Sequence, residues 1–239
     1  MIGASIEVEV GGARIALVPG GGAWLGSTRT LLVADVHIGK AETFASLGVP
    51  VPAAATDETL ARLSSLIVRC GAHRLTVLGD WLHGPRALDA AVLERLAAWR
   101  LAHAAIEITV VGGNHDARAG AMPASLGIAC VDEPCAAPGC SDLWLAHHPR
   151  DLDRPGYVLA GHLHPAVRLA SRAGDSVRLP CWWFGARVGI LPAFGAFTGG
   201  RTIRPRRGER VFATVGDAVR ELPVTSRAGA PATPRRSPG

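Results

Sequence analysis

The sequence predicts an α/β (α+β) protein built on mixed β-sheets covered by helices. Continuous apolar runs of strand length alternate with amphipathic helices through the first half of the 239-residue chain. The second half holds only short strand-like segments, the order expected of mixed sheets with helical cover. Gly (29) and Pro (17) are too frequent for a helical bundle. With 48% hydrophobic and 19% charged residues, the chain can bury a sizeable core, which excludes wholesale disorder. No run approaches the roughly 18 to 20 apolar residues that a spanning helix needs. The N-terminus lacks a basic region followed by an apolar one, so no signal peptide is read. The expected location is the cytoplasm, with no membrane association.

Residues 5–10 and 13–18 alternate apolar and polar around Gly11-Gly12, the pattern of a hairpin. Residues 30–34 form an apolar run ending in Asp35, read as a buried strand. Thr56-Asp57-Glu58 is read as the cap of a helix with an apolar face of Leu60, Leu63 and Ile67, closed by Gly71. A second buried strand, 75–78, ends at Gly79-Asp80, and a second amphipathic helix covers 88–102. A third strand, 106–111, ends at Gly112-Gly113-Asn114-His115-Asp116. Short strands are then expected at 127–131, 142–146, 157–160, 166–170, 176–179, 187–191, 210–214 and 218–222. From Pro223 the composition turns to Ser, Ala, Pro, Gly and Arg. One domain is therefore expected over 1–223, with a basic, disordered tail over 224–239.

The net charge of +5 is unevenly placed. From Arg201 onward, nine arginines face only Glu209, Asp217 and Glu221. A near-neutral body with a basic end suits an anionic partner such as nucleic acid; a solvated tail has the same composition. The five cysteines form no CxxC pair, so neither a zinc site nor a disulfide framework is expected. They read as reduced thiols of a cytosolic protein.

The residues that carry chemistry sit at strand ends: Asp35-Val36-His37, Gly79-Asp80, Gly113-Asn114-His115-Asp116, His147-His148 and Gly161-His162-Leu163-His164. These clusters and the nearby His83 hold seven of the nine histidines. In open α/β sheets, ligands bind at the carboxyl ends of strands. Asp-x-His is expected to place both side chains on one side of an extended segment, because side chains alternate. Each fragment alone has a plain structural reading, as a turn, a cap or a core histidine. Their succession at five strand ends does not. Carboxylate plus imidazole without thiolate suits Mn, Fe or Zn. Two such ions about 3.5 to 4 Å apart can share a carboxylate and clamp a phosphoryl group.

In this order the five motifs resemble the calcineurin-like metallophosphoesterases. The resemblance implies a two-sheet mixed β-sandwich flanked by helices, with 1–223 as the metallophosphoesterase domain. It implies that Asp35, His37, Asp80 and His164 hold one divalent ion. Asp80, Asn114, His147 and His162 hold the other, with Asp80 bridging. His115 matches the family's catalytic histidine, which supports the scissile phosphate or protonates the leaving oxygen, and Asp116 would orient it. Of the doublet His147-His148, the first is the implied ligand. Residues 35–44, 48–52, 161–165, 179–184 and 191–200 are similar, more narrowly, to the bacterial ligase-associated DNA-damage-response phosphoesterases. That similarity implies DNA-end processing, in functional association with an ATP-dependent DNA ligase, a helicase and a metallo-β-lactamase-fold exonuclease.

The expected activity is a two-metal phosphodiesterase or nuclease acting on DNA. The alternative on the same scaffold hydrolyses small nucleotides or pyrophosphate-linked metabolites. A non-catalytic scaffold would show eroded ligands, and here every motif position is filled. His83, Lys40 (the only lysine) and Arg118 are candidates for substrate or phosphate contacts, or solvated surface groups. Trp182-Trp183-Phe184 can stack bases or belong to the core. His73 and His103 are read as structural.

Overall fold

The computed structural model describes residues 4–52, 54–153, 155–170 and 175–224. Nearly all of the expected tail therefore lies outside the described residues. One sheet contains β1 (Ile6–Val10), β2 (Ala13–Val18), β3 (Gly22–Leu25), β4 (Thr30–Val33), β5 (Arg74–Leu78), β6 (Glu107–Val111) and β7 (Ile128–Val131), in that spatial order. The first four are antiparallel to one another; β4 to β7 run parallel. Four helices occur within this half: α1 (Lys40–Ser46), α2 (Ala55–Cys70), α3 (Ala90–Ala102) and α4 (Asn114–Ala119). The second sheet is formed by β8 (Cys135–Ala136), β9 (Leu143–Leu145), β10 (Tyr157–Ala160), β11 (Pro165–Ala170), β12 (Ser176–Phe184), β13 (Val188–Ile190), β14 (Arg201–Thr202), β15 (Arg210–Val215) and β16 (Ala218–Leu222). Its order is β14-β11-β12-β13-β10-β9-β8, with β15 and β16 joined through β12.

The apolar runs are continuous because both faces of the first sheet are covered. Leu31 and Val33 of β4, Leu75 and Val77 of β5, and Ile108 and Val110 of β6 pack against Leu60, Leu63 and Ile67 of α2 and Leu96 of α3. Leu32, Leu78 and Val111 face the other way, into an inter-sheet core with Leu145, Leu159, Trp182, Phe184 and Phe212. The layers are helices, sheet, sheet. Among the described residues the α-helices lie against the first sheet, and only a three-residue 3-10 turn, Ala124–Leu126, follows α4.

Several local expectations change. Helix α2 begins at Ala55, so Thr56, Asp57 and Glu58 form its first turn rather than its cap, where the two acids complement the helix dipole. Residues 85–88 make a separate 3-10 turn before α3. The Trp182-Trp183-Phe184 run belongs to β12: Trp182 and Phe184 are core, and Trp183 donates its indole N–H to Glu209 at 2.8 Å. It is no stacking platform. No helix among the described residues is long and apolar enough to cross a membrane. All five cysteines are free thiols, as expected.

Candidate metal centre and active site

The segments after β4 and β5 continue side by side beyond the sheet. His37 N–H donates to Asp80 O (2.9 Å), Ile38 N–H to Trp81 O (2.8 Å), and His83 N–H returns to Ile38 O (2.9 Å). Residues 194–195 lie on the other side, with Gly195 N–H donating to Asp35 O at 3.1 Å. The second sheet brings its own pair: Gly161 N–H donates to His147 O at 3.1 Å. The sheets meet closely enough that a Cβ on Gly161 would lie 2.9 Å from Leu78 O and 2.7 Å from the Asp35 carboxylate. Glycine is required there for the approach of the two halves.

Asp35, His37, Asp80, His162 and His164 all adopt positive φ, between 47° and 69°. Asp-x-His and His-x-His are therefore not extended segments. Their side chains share a side because left-handed backbone turns them inward, not because of strand alternation. Such conformations are disfavoured for non-glycine residues and persist where the surroundings over-determine them, typically at functional sites.

All seven implied ligands converge. Asp35 accepts from His162 N–H at 2.9 Å and lies 3.3 Å from His164 Nε2. His37 Nε2 is 3.3 Å from His164 Nε2 and 3.8 Å from Asp80 Oδ2. On the far side of Asp80, Oδ1 lies 3.5 Å from His147 Nε2. That nitrogen is 3.0 Å from Asn114 Oδ1 and 3.0 Å from His162 Nδ1. Asp80 thus stands between two donor groups, and Asp35, Asp80 and His147 are buried. Of the doublet, His147 enters the cluster. His148 lies against it, its ring 4.5 Å from that of His162, and pairs with Glu133, its Nδ1 2.6 Å from the carboxylate.

The arrangement fits cations on chemical grounds. Main-chain oxygens only accept, so His147 Nδ1 carries the proton given to Leu78 O (3.1 Å), and His164 Nδ1 the one given to Gly199 O (3.2 Å). Nε2 of His147 then faces Asn114 Oδ1 and Asp80, and Nε2 of His164 faces Asp35; burial opposes charge on His164, but the hydrogen bond to Asp35 and that carboxylate's charge raise its pKa. Two carboxylates and several imidazole nitrogens gathered this closely call for positive charge, which a divalent ion would supply. Burial pushes His37, His147 and His162 below the ordinary imidazole value, which keeps them neutral and available as ligands. Burial, with Asp35 beside it, pushes Asp80 up. A cation reverses that penalty.

His115 is the second residue of α4, its N–H donating to Asp80 Oδ1 at 2.9 Å. Asp116 does not orient it. The Asp116 carboxylate accepts from Leu82 N–H (2.7 Å) and Gly113 N–H (3.1 Å), tying the second motif to the third. The partner of His115 Nδ1 is the main-chain oxygen of His83, at 2.7 Å. His83, a candidate for substrate contact or a surface group in the sequence, stacks on His115 and sits 3.1 Å from His37 Nδ1. Glu133 was not anticipated; one oxygen accepts from both His147 N–H (2.7 Å) and His148 N–H (2.8 Å). Nothing near it in sequence marks it. Lys40, half-buried, feels the charges of Asp35 and Asp80, although burial pulls its pKa down. Arg118 is exposed at the end of α4. His103 bonds Ser64 at 2.7 Å, a structural role.

Fold and site together define a metal-dependent phosphoesterase, a hydrolase. No protein-family model matches the sequence, and no curated protein does. Among solved structures, the chain is similar to the nuclease MPE of Pseudomonas putida. The TM-score is 0.75 and the identity 38%, over 87% of this chain and 96% of that one. YfcE, a phosphoesterase from E. coli, aligns over 82% of this chain and 99% of that one at 16% identity, with a TM-score of only 0.42. The chain belongs to the calcineurin-like metallophosphoesterases.

Proposed function

We propose that this protein is a dinuclear-metal phosphodiesterase that acts as a nuclease on DNA, with Mn2+ as its working ion. The observation that carries the reading is the position of Asp80, whose two oxygens face two separate groups of donors. Asp35, His37 and His164 would complete one ion's shell with it, and Asn114, His147 and His162 the other's. With a pair of divalent ions bound there, phosphoryl oxygens would be neutralised and water would become a competent nucleophile near neutral pH. The protein's own groups do the rest. With Nδ1 committed to His83 O, His115 presents Nε2 to the substrate; protonated there, it delivers a proton to the leaving oxygen. The anchor of His115 N–H on Asp80 fixes that nitrogen relative to the donor cluster. The similarity to a nuclease and to the ligase-associated phosphoesterases supports DNA-end processing and repair in the cytoplasm as the setting. It also supports association with an ATP-dependent DNA ligase, a helicase and a metallo-β-lactamase-fold exonuclease.

The test is to strip the protein of metal, reload it separately with Mn2+, Fe2+ or Zn2+, and assay an aryl phosphodiester beside defined DNA ends. Hydrolysis of both, strongest with Mn2+, is expected. Activity on a phosphomonoester alone contradicts the diesterase reading. Activity confined to a nucleotide pyrophosphate moves the assignment to the metabolite alternative.

A further inference from the structure

Of the five phenylalanines, Phe184, Phe194 and Phe212 are buried. The other two meet at the lip of the donor cluster. Phe197 is 37% exposed, and its ring meets that of Phe44 edge-on, with centroids 6.1 Å apart. Phe44 is half-buried and lies 6.0 Å from the His83 ring, tilted 29° from it. His83 in turn stacks on His115 at 4.5 Å and 17°. One aromatic series thus runs from the candidate proton donor out to solvent.

Both rings are held by the segments that hold the ligands. Phe197 sits between Gly195, whose N–H donates to Asp35 O at 3.1 Å, and Gly199, whose oxygen accepts from His164 Nδ1 at 3.2 Å. Ala196 N–H is further tied to Thr59 Oγ1 at 3.1 Å. Phe44 lies on α1, which starts directly after the first motif; Lys40 N–H donates to His37 O at 3.2 Å. A pre-positioned aromatic surface left uncovered beside a phosphate-handling centre suits a flat π-system attached to that phosphate.

We infer, on the nuclease reading above, that Phe44 and Phe197 form the wall on which a nucleobase adjoining the scissile phosphate stacks. Every base offers a π-face, so such a wall adds affinity without selecting sequence.

The experiment uses the Mn2+-loaded protein and an end-labelled oligothymidylate, intact or with one abasic sugar, so that each phosphodiester is read separately. Wild type should cleave a bond beside the abasic sugar about tenfold more slowly than the same bond in the intact chain, the loss expected for one base–aromatic stack. Phe197→Ala should cleave both at the slower rate, through a raised KM, and Phe197→Tyr should restore the difference. Wild-type discrimination persisting in both Phe197→Ala and Phe44→Ala overturns the stacking wall while leaving the nuclease reading intact. Failure of wild type to cleave any oligonucleotide, with an aryl diester still hydrolysed, removes the nuclease reading and the wall with it.

Discussion

His115 and His83 form a fixed pair: the Nδ1–H of His115 is donated to the main-chain oxygen of His83, 2.7 Å away, and the two imidazoles stack 4.5 Å apart. A carbonyl cannot donate, so the His115 tautomer is set by the backbone and survives any change of the His83 side chain. The carboxylate next in sequence plays no part in it.

His115→Ala is therefore expected to keep both metal ions and lose about 10²- to 10⁴-fold in kcat. Metal content by atomic emission, beside steady-state kinetics, checks this. Full activity in the variant would remove His115 from the mechanism.

Asp116→Ala should act on stability first. It leaves Leu82 N–H and Gly113 N–H without their acceptor. Lost hydrogen bonds to a charged group cost about 1.5 to 3 kcal/mol each. A fall of several degrees in Tm is expected, read by calorimetry. A large loss of kcat at unchanged Tm would instead return Asp116 to an orienting role.

Much of the site was legible in the sequence. Apolar runs placed Asp35, Asp80 and Asn114 at strand ends, and the structure brings all seven expected ligands together. The reason given for Asp-x-His was wrong, because positive φ at Asp35 and His37 cannot be read from alternation. Helix α4 escaped notice because it has six residues and a glycine as N-cap. Strand β3 has four residues beginning in glycine, too few to show a period. Glu133 was invisible because its partners, His147 and His148, lie on another segment and it meets them through their backbone. Packing, not spacing, decided that Trp182 and Phe184 are core.

Glu133→Ala should loosen the ion that His147 helps to hold. Burial works against the Glu133 carboxylate, but the His148 and His147 contacts hold its pKa below the ordinary range, so it is charged at neutral pH. Removal of a group that positions a ligand typically lowers metal affinity about 10- to 100-fold. Calorimetric titration of the stripped protein with Mn2+ measures this. An unchanged isotherm would leave the Glu133 clamp without effect on the ligand.

Thiol labelling tests the core. Burial pushes Cys181 up to about 12 and Cys70 up to about 11, and both side chains are buried. A raised pKa means little thiolate at pH 8, and reactivity follows thiolate. Burial and the nearby Asp116 raise the Cys130 thiol too, but it is the exposed one, so it should be labelled first by a disulfide reagent, faster as pH rises. Cys70 and Cys181 should react only on unfolding. Early labelling of Cys181, located by peptide mass, would contradict the packing of β12.

The shared position of Asp80 is tested most directly by anomalous diffraction from crystals grown with Mn2+. Two peaks about 3.5 to 4 Å apart are expected, one beside Asp35, His37 and His164, the other beside Asn114, His147 and His162, with Asp80 touching both. A single peak, or two with Asp80 bound to neither or to only one, would contradict the account.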